Sequence, residues 1–402
     1  MSQSSSKSDD FSTILKTLKT INPDEKVVYC KKCVISNQRP RMQFDDNGIC
    51  GQCLYYEYKR TMIDWDKREK ELSDLCDKHR SKDGSWDVIV PGSGGKDSGF
   101  VSYMLKKKYG MHPLTVTWAP ATPTEIGRQN LENFIRSGYD NIMGSPNGEI
   151  HQKMSKLAFT EFGDNFLPFI YGQIHFPLQI AVKYKIPLIM YGENGEIENG
   201  GSLKNYNNPL LDLAEHDYIS EKLSNHPPEY WAKAFGVDIN EIKQRYMPPN
   251  LDELRKIGIQ EHYFSYYHNW VPEKSYEIAK KYCGYRPNPY GRSEGTYTDY
   301  ASLDDKTDGF HYYLAFIKFG IARATADATK QVWNKSLTRD EAVDLVLKYD
   351  SEFPAKYLKE FLDYMEMDMY TLNKTIDRFR RSIIWKKEND EWKIRQQVSK
   401  LK

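Results

Sequence analysis

The sequence predicts an α/β protein built on a doubly wound, mostly parallel sheet. From Trp86 onward, short apolar runs alternate with segments of helical spacing, which is the order that parallel strands joined by right-handed crossovers produce. A glycine-rich loop, PGSGGKDSGF at 91–100, stands between the first apolar run and the first helical segment. Glycines at such a junction let a ligand come close to the backbone.

The elements follow one another along the chain with clear boundaries. The predicted strands are WDVIV (86–90), LTVTW (114–118), NIMG (141–144), IPLIMYG (186–192) and IQEHYFSYY (259–267). The predicted helices are 99–110, 125–138, 149–163, 176–185 and 273–284, followed in the C-terminal part by 338–350, 354–367 and 371–384. Thr338 and Glu341 have the spacing of a helix-capping box. A polar stretch, 193–209, interrupts the pattern, and a loop of that length is more often functional than decorative.

The chain of 402 residues is long enough for two or three domains. The predicted divisions are a disordered or loosely helical lead (1–24), a zinc ribbon (25–58), a helical linker (59–84), the α/β domain (85–298) and a helical C-terminal region (299–402).

Composition bounds the function. The 57 basic and 56 acidic residues give a net charge of +1, which weighs against a long nucleic acid as the main partner. The N-terminus has no apolar signal segment, and no stretch is apolar enough to span a membrane, so we expect a cytoplasmic protein. In that reducing compartment the six cysteines are expected to be thiols or metal ligands rather than disulfides.

Four cysteines form two C-x2-C pairs separated by sixteen residues. This spacing is typical of a zinc ribbon, in which four thiolates close a tetrahedral shell and the metal is structural rather than catalytic. Two further cysteines, Cys76 and Cys283, are single and are expected to pack. The predicted zinc ligands are Cys30, Cys33, Cys50 and Cys53.

The glycine-rich loop departs from two familiar phosphate motifs. A Walker loop needs Ser or Thr after its lysine, and a dinucleotide fingerprint needs a third glycine, but both positions are Asp97. An aspartate at a phosphate site requires a cation such as Mg²⁺ beside it. The loop therefore suits a magnesium-bound polyphosphate, held by backbone N–H groups, hydroxyls and a cation. The contributing residues are Ser93, Gly94, Gly95, Lys96, Asp97 and Ser98.

SGGKDS at 93–98, after a strand and before a helix, resembles the PP-loop signature of the ATP pyrophosphatases. The resemblance implies cleavage of ATP between the α and β phosphates, with Lys96 and Asp97 in catalytic roles. It also implies a second contact at the end of a later strand, where Glu193 and Asn194 stand in YGENG. Trp118, at the end of the second strand, can pack on the purine or on the core.

A closer resemblance covers about residues 25 to 380. The zinc ribbon, PGSGGKDS, YGENG and the stretch at 297–328 together are similar to the N-acetyl sugar amidotransferases of bacterial O-antigen and flagellin glycan pathways, including those of pseudaminic or legionaminic acid. The resemblance implies that ATP adenylates the acetamido oxygen of a nucleotide-linked or related sugar, and that ammonia then gives an acetamidine. It also implies separate glutaminase and cyclase-like subunits that deliver the ammonia.

Within 297–328, acidic and basic side chains are candidates for sugar or metal contacts, and aromatic ones for the pocket lining. A solvated charged turn followed by an amphipathic helix explains the same residues equally well. The candidates are Tyr297, Tyr300, Asp304, Asp305, Lys306, His311 and Arg323.

Two other functions fit parts of the sequence. A tRNA-thiolating PP-loop enzyme can also carry a zinc ribbon, but it usually has a reactive cysteine or an iron–sulfur triad near the nucleotide, and a basic surface. A non-enzymatic protein that binds a partner through its ribbon has no need of a complete PP-loop.

Overall fold

A small N-terminal lobe precedes the main sheet. The computed structural model describes residues 11–211 and 228–401. In chain order the lobe contains α1 (Phe11–Thr17), β1 (Lys19–Thr20), β2 (Gln43–Phe44), α2 (Gly51–Thr61) and α3 (Trp65–His79).

The lead at 1–24, predicted to be disordered or loosely helical, contains a helix where the structure describes it. Helix α1 lies in this segment, and Phe11 is fully buried with its ring 5.4 Å from that of Tyr55 and 5.1 Å from that of Tyr206. The burial of this aromatic ring stabilises the helix against the rest of the lobe. Residues 1–10 lie outside the described residues.

The central sheet has six strands in the order β5-β4-β3-β6-β8-β7. The first five of these pair in parallel, and β7 pairs antiparallel with β8 at the edge. The sheet is therefore mostly parallel and doubly wound, as predicted. The strands are β3 (Val88–Pro91), β4 (Pro113–Trp118), β5 (Asp140–Gly144), β6 (Leu188–Tyr191), β7 (Leu210–Leu211) and β8 (Gln260–Tyr263).

Helices cover both faces of the sheet because its central strands are apolar on both faces. Along β3, Val88 and Val90 pack with Phe100 of the helix that follows this strand, whereas Ile89 packs on the opposite face with Leu178. The helices up to β6 and just after it are α4 (Lys96–Lys107), α5 (Glu125–Arg136), α6 (Gly148–Phe162), α7 (Leu167–Tyr184) and α8 (Gly195–Asn199).

Two predicted boundaries differ from the structure. Helix α7 begins at Leu167 rather than at 176, because a proline lies in its first turn and Pro177 is accommodated inside a largely buried helix. The last strand ends at Tyr263, and the next residues form a short helix whose Phe264 packs edge-on against Phe100. The remaining helices of this part are α9 (Pro228–Phe235), α10 (Ile239–Tyr246), α11 (Leu251–Ile257), α12 (Phe264–Tyr267) and α13 (Pro272–Tyr282).

The C-terminal part is helical with a hairpin at its end. The capping box predicted at Thr338 and Glu341 is present. The hairpin was not predicted; Asn389 and Asp390, both with positive φ, form its two-residue turn. The elements are α14 (Asp308–Phe319), α15 (Arg323–Trp333), α16 (Arg339–Tyr349), α17 (Leu358–Met365), α18 (Met369–Arg378), β9 (Trp385–Glu388) and β10 (Glu391–Ile394).

Across residues 11–211 and 228–401, no helix has both the length and the apolar character needed to cross a bilayer. The domain boundaries proposed from the sequence stay a prediction.

Candidate functional site

The candidate site lies where the chain connections of the sheet change direction. Strands β3 and β6 are neighbours, but the chain continues from them in opposite directions along the sheet. After β3 it leads to β4, towards one edge, and after β6 it leads to β7 and β8, towards the other edge. Ligands of doubly wound proteins bind at the carboxyl ends of the strands at such a switch point. The 93–98 loop follows β3 and Glu193 follows β6, so both predicted segments flank this position.

Gly94 is required by the geometry of the loop. Its φ is +80°, and a Cβ there would lie 2.7 Å from the Cα of Leu131. Gly95, by contrast, is the N-cap of α4, and the only atom within 4 Å of an added Cβ among the described residues is the Ser93 hydroxyl oxygen. A side chain at Gly95 would therefore find space, and α4 begins directly after this residue, in the position that anion sites take at helix N-termini.

Lys96 and Asp97 open this helix as a contact ion pair. Lys96 Nζ lies 2.5 Å from Asp97 Oδ2 and 5.4 Å from the centre of the Tyr300 ring. The Lys96 side chain is only 13% exposed. The second carboxylate oxygen of Asp97 is buried and has no hydrogen-bond partner among the described residues. An unsatisfied buried carboxylate oxygen calls for a cationic ligand.

Glu193 faces the same place from the end of β6. Burial and the Asp97 carboxylate raise the pKa of Glu193, while Lys330 and Lys96 act in the opposite direction. Two carboxylates that repel each other beside two lysines form a site suited to a bound cation and a polyanion. Asn194 has another task, because its side chain accepts two backbone N–H bonds in the first turn of α8.

The C-terminal part of the chain reaches the loop directly. The Ser93 hydroxyl donates a hydrogen bond to the carboxylate of Asp304, 211 residues away. The backbone carbonyl of Asp304 accepts a 3.0 Å bond from the N–H of Thr124 at the start of α5. Burial, with Asp308 and Asp305 adding to it, raises the pKa of Asp304 to about 6. The structure thus brings a predicted substrate residue onto the predicted phosphate loop.

We expect Asp304→Asn to flatten the dependence of stability on pH. The pKa of Asp304 in the folded protein, about 6, lies above its ordinary value of 3.8. The proton is therefore held more tightly in the folded state, so this group's contribution to stability is full below about pH 4 and is lost as the pH rises through about 6. Thermal unfolding between pH 4 and pH 7 should show a smaller decline in the variant than in the wild type.

Asp252→Asn is the control for this measurement, because the Asp252 side chain is 89% exposed. Its unfolding profile should match that of the wild type. Equal profiles for wild type and Asp304→Asn would contradict the expected raised pKa of Asp304.

Asp305 and Lys306 have structural contacts. Asp305 accepts bonds from the N–H and hydroxyl of Thr122, at 2.9 and 2.7 Å, and from the N–H and hydroxyl of Thr307, at 2.7 and 2.8 Å. It therefore ties the 303–307 turn to the segment that follows β4. Lys306 Nζ lies 3.4 Å from a carboxylate oxygen of Glu360.

Helix α15 presents a charged face next to the site. Arg323 Nε lies 3.3 Å from Asp327 Oδ1, and Arg323 also donates a 2.6 Å bond to the hydroxyl of Tyr312. Lys330 continues this face one turn further. Burial lowers the pKa of Lys330, Glu193 opposes that shift, and Arg323 and Lys96 add to it. Sequence analysis missed Lys330; its spacing of seven and three residues from Arg323 and Asp327 was the available signal.

His311 and Tyr297 have partners of their own. His311 Nδ1 lies 2.8 Å from Asp164 Oδ1, at the loop before α7. Burial opposes the charged ring, but the Asp164 carboxylate outweighs it and raises the pKa of His311. Tyr297 donates a 2.7 Å bond to the side chain of Gln331. Neither contact joins these residues to the 93–98 loop.

Trp118 packs into the core. A Cβ on Gly172 would lie 2.0 Å from its indole ring, and the rings of Phe176 and Tyr246 lie 5.5 and 5.8 Å away. Its Nε1 is buried and has no hydrogen-bond partner in the described part of the chain. Of the two alternatives left open from the sequence, these contacts favour packing on the core.

The four cysteines of the N-terminal lobe converge on one point. The Sγ atoms of Cys30 and Cys53 are 3.8 Å apart, those of Cys33 and Cys50 are 3.6 Å apart, and all four lie within 4.8 Å of one another. Four thiolates bound at about 2.3 Å to one tetrahedral metal ion lie about 3.8 Å apart. The four buried cysteines thus have the spacing of ligands to a single metal ion. The cysteine ligands of a four-iron iron–sulfur cluster would lie further apart.

Comparisons with solved structures give weak overall likenesses. They include a predicted subunit of tRNA methyltransferase from Methanocaldococcus jannaschii (15% identity, 43% of this chain and 74% of that chain, TM-score 0.23). NMN synthetase from Francisella tularensis (12%, 54% and 96%, TM-score 0.27) and the U34-tRNA thiolase NcsA from Methanococcus maripaludis (15%, 63% and 86%, TM-score 0.23) are similar at the same level. Similarity this low says nothing about activity.

A comparison with curated proteins finds no match. Residues 294–399 match the family model described as LPS biosynthesis protein WbpG-like, C-terminal domain. The matched segment contains Asp304, whose carboxylate accepts the hydrogen bond from Ser93, and all of α15. By this match, the C-terminal part of the chain, residues 294–399, is similar to the C-terminal domain of the WbpG-like LPS biosynthesis proteins.

Proposed function

We propose that the protein is an ATP-dependent, AMP-forming amidotransferase that converts the acetamido group of an N-acetylated sugar to an acetamidine. The observation that carries the proposal is the hydrogen bond between Ser93 and Asp304. It joins a PP-loop at a nucleotide-binding position of the sheet to a segment similar to a domain named for LPS biosynthesis. The sugar itself is not identified by this reasoning.

Each residue around the loop has a role in this reaction. Backbone N–H groups of the first turn of α4 bind the outer phosphates, with the hydroxyls of Ser93 and Ser98 beside them. Lys96 and Lys330 neutralise charge that develops at the α-phosphate. Asp97 and Glu193 are the carboxylates that fit a magnesium ion, since the second carboxylate oxygen of Asp97 is buried and has no hydrogen-bond partner among the described residues. Magnesium bound there supplies charge neutralisation on the phosphates.

The chemistry needs an activated acetamido group, because an amide oxygen is a poor leaving group. The carbonyl oxygen attacks the α-phosphorus of ATP, and pyrophosphate leaves. Ammonia then attacks the carbonyl carbon, and AMP leaves with that oxygen, which yields the amidine. The site must hold the two reactants in line and exclude water.

We further propose that the four cysteines hold zinc in a structural role. Four buried thiolates leave no open coordination position. Ammonia would come from separate glutaminase and cyclase-like subunits in the cytoplasm, as in the amidotransferases that the sequence resembles. We call the N-terminal lobe, residues 11–79, the zinc lobe. Variants in it that lose glutamine-dependent activity but keep ammonium-dependent activity would locate the contact with those subunits.

The proposal is tested with purified protein, ATP, Mg²⁺, ammonium and a panel of acetamido nucleotide sugars. We expect AMP and pyrophosphate, and a sugar product lighter by the difference between oxygen and NH. Heavy oxygen placed in the acetamido carbonyl should appear in AMP. ADP as the nucleotide product, or label retained in the sugar, would refute the mechanism.

A tRNA-thiolating activity is disfavoured by the state of the remaining cysteines. Cys283 lies against the PP-loop helix, with its thiol 3.3 Å from the carbonyl oxygen of Gly99. Burial raises the pKa of Cys283 to about 12, and burial raises that of Cys76 to about 12 as well. Thiols with such pKa values are scarcely ionised at neutral pH and are poor nucleophiles. Thiolation lost in Cys283→Ala would revive this alternative.

A further inference from the structure

A buried ion pair connects the zinc lobe to the segment that follows β6. Lys59 Nζ lies 2.9 and 3.3 Å from the two carboxylate oxygens of Glu198. The two side chains are 2% and 3% exposed. Tyr56, one turn earlier on α2, donates its hydroxyl hydrogen bond to the same carboxylate. Both oxygens of Glu198 are therefore satisfied, and both donors come from one helix.

The position of that helix depends on the cysteine cluster. Cys50 is the N-cap of α2, and Cys53 lies in its first turn. The same helix is held from the other side, because the Tyr56 ring stacks on Trp333 of α15 at 5.1 Å. Helix α2 is thus fixed at its start by the cysteines and along its length by the C-terminal domain.

The position of Glu198 in turn bears on Glu193. The two residues are joined by the single turn of α8, which the Asn194 side chain caps. Two more bonds from the zinc lobe hold the end of this turn: Gln52 donates to the carbonyl of Gly201 at 2.9 Å, and Arg39 to that of Gly200 at 3.0 Å. A shift of Glu198 therefore moves the residues just before it.

The Lys59–Glu198 ion pair is expected to add little to the free energy of unfolding. Desolvating two charges costs about as much as their attraction returns, and apolar replacements of equal size are often as stable. Buried charges do, however, fix one arrangement of the groups around them, because the wrong arrangement leaves a charge unpaired. The pair is suited to setting position rather than to adding stability.

We propose that Lys59 and Tyr56 are positioning residues which, through Glu198, hold Glu193 opposite Asp97, so that the four-cysteine site sets the geometry of the nucleotide site. The inference rests on the proposed function, from which the role of Glu193 is taken. It predicts that the zinc lobe controls turnover without contributing any group to the reaction.

The test is a double variant, Lys59→Met with Glu198→Gln, which removes both charges and preserves size. With ammonium as the nitrogen source, we expect a folded protein with unchanged metal content. The kcat for AMP formation should fall by about 10-fold to 100-fold, and the KM for ATP should change by less than about 3-fold, because supporting residues tune geometry rather than bind substrate.

Two single variants complete the test. Tyr56→Phe keeps the ring on Trp333 and removes only the hydroxyl, and we expect kcat to fall by about 3-fold to 10-fold. Arg41→Met is the matched control: Arg41 also joins the lobe to α8, through a 2.9 Å bond to Glu196, but its side chain is 64% exposed. Its kcat should stay within about 2-fold of the wild type.

Backbone amide exchange of residues 193–199 gives a readout independent of activity. It should be faster in the double variant than in the wild type and unchanged in Arg41→Met. Wild-type kcat and wild-type exchange in the folded double variant and in Tyr56→Phe would overturn the positioning role. If the wild type forms no AMP, the proposed function fails, and amide exchange still decides whether the two sites are coupled.

Discussion

Lys96→Ala is expected to abolish the formation of AMP and pyrophosphate, with kcat lowered by at least about 100-fold. Lys96 is the cation at the start of α4, and its side chain is held by Asp97 at 2.5 Å and lies near the Tyr300 ring. In the proposed mechanism, its removal leaves the phosphates of ATP without the charge that offsets their own, and it also removes the ion-pair partner of Asp97. Product analysis of AMP and pyrophosphate measures the effect, and metal content and melting temperature should be close to those of the wild type.

Asp97→Ala should have an effect of the same size, because it removes the carboxylate proposed to hold magnesium. Lys107→Ala is the control for both variants, since Lys107 is an exposed lysine at the other end of the same helix. Its activity should equal that of the wild type. Full activity in Lys96→Ala or Asp97→Ala would remove the loop from the mechanism.

Cys30→Ser should destabilise the N-terminal lobe and release the metal. The four cysteines are buried in one cluster with Phe11, with the aromatic residues of α2 and with Ile35, Met42 and Phe44, so the cysteine site is part of the lobe's core. Metal binding in such small lobes supplies most of the folding free energy, and losing one of four ligands is expected to cost several kcal/mol. Metal analysis and thermal unfolding measure the two effects.

Cys76→Ser provides the comparison. Cys76 is equally buried, but it packs with Leu72 and Val88 under the main sheet and is not a member of the four-cysteine cluster. The Cys76→Ser variant should bind the full amount of metal. Its free energy of unfolding should fall only by the cost of burying a hydroxyl group. Unchanged metal content and melting in Cys30→Ser would show that the cluster does not stabilise the lobe.

Local signals in the sequence were enough for the sheet and for two chemical motifs. Parallel strands that are buried on both faces have short, continuous apolar sequences. These apolar runs predicted the positions of β3, β4 and β6 to within a few residues. The ligand spacing of a tight metal-binding turn is also local, and the two C-x2-C pairs do meet in the structure. Boundaries failed where tertiary packing overrode propensity, as at α7 with its internal Pro177.

The sequence by itself determined the succession of parallel strands and helices along the chain and the spacing of the four cysteines, because each depends on residues close together in the chain. Only the tertiary structure decided which distant residues come together. Asp304 meets Ser93 across 211 residues, and Lys59 meets Glu198 across 139. The reason is physical: a lone charged side chain reads as solvated surface in any sequence, and its role appears only when folding removes water and supplies a partner.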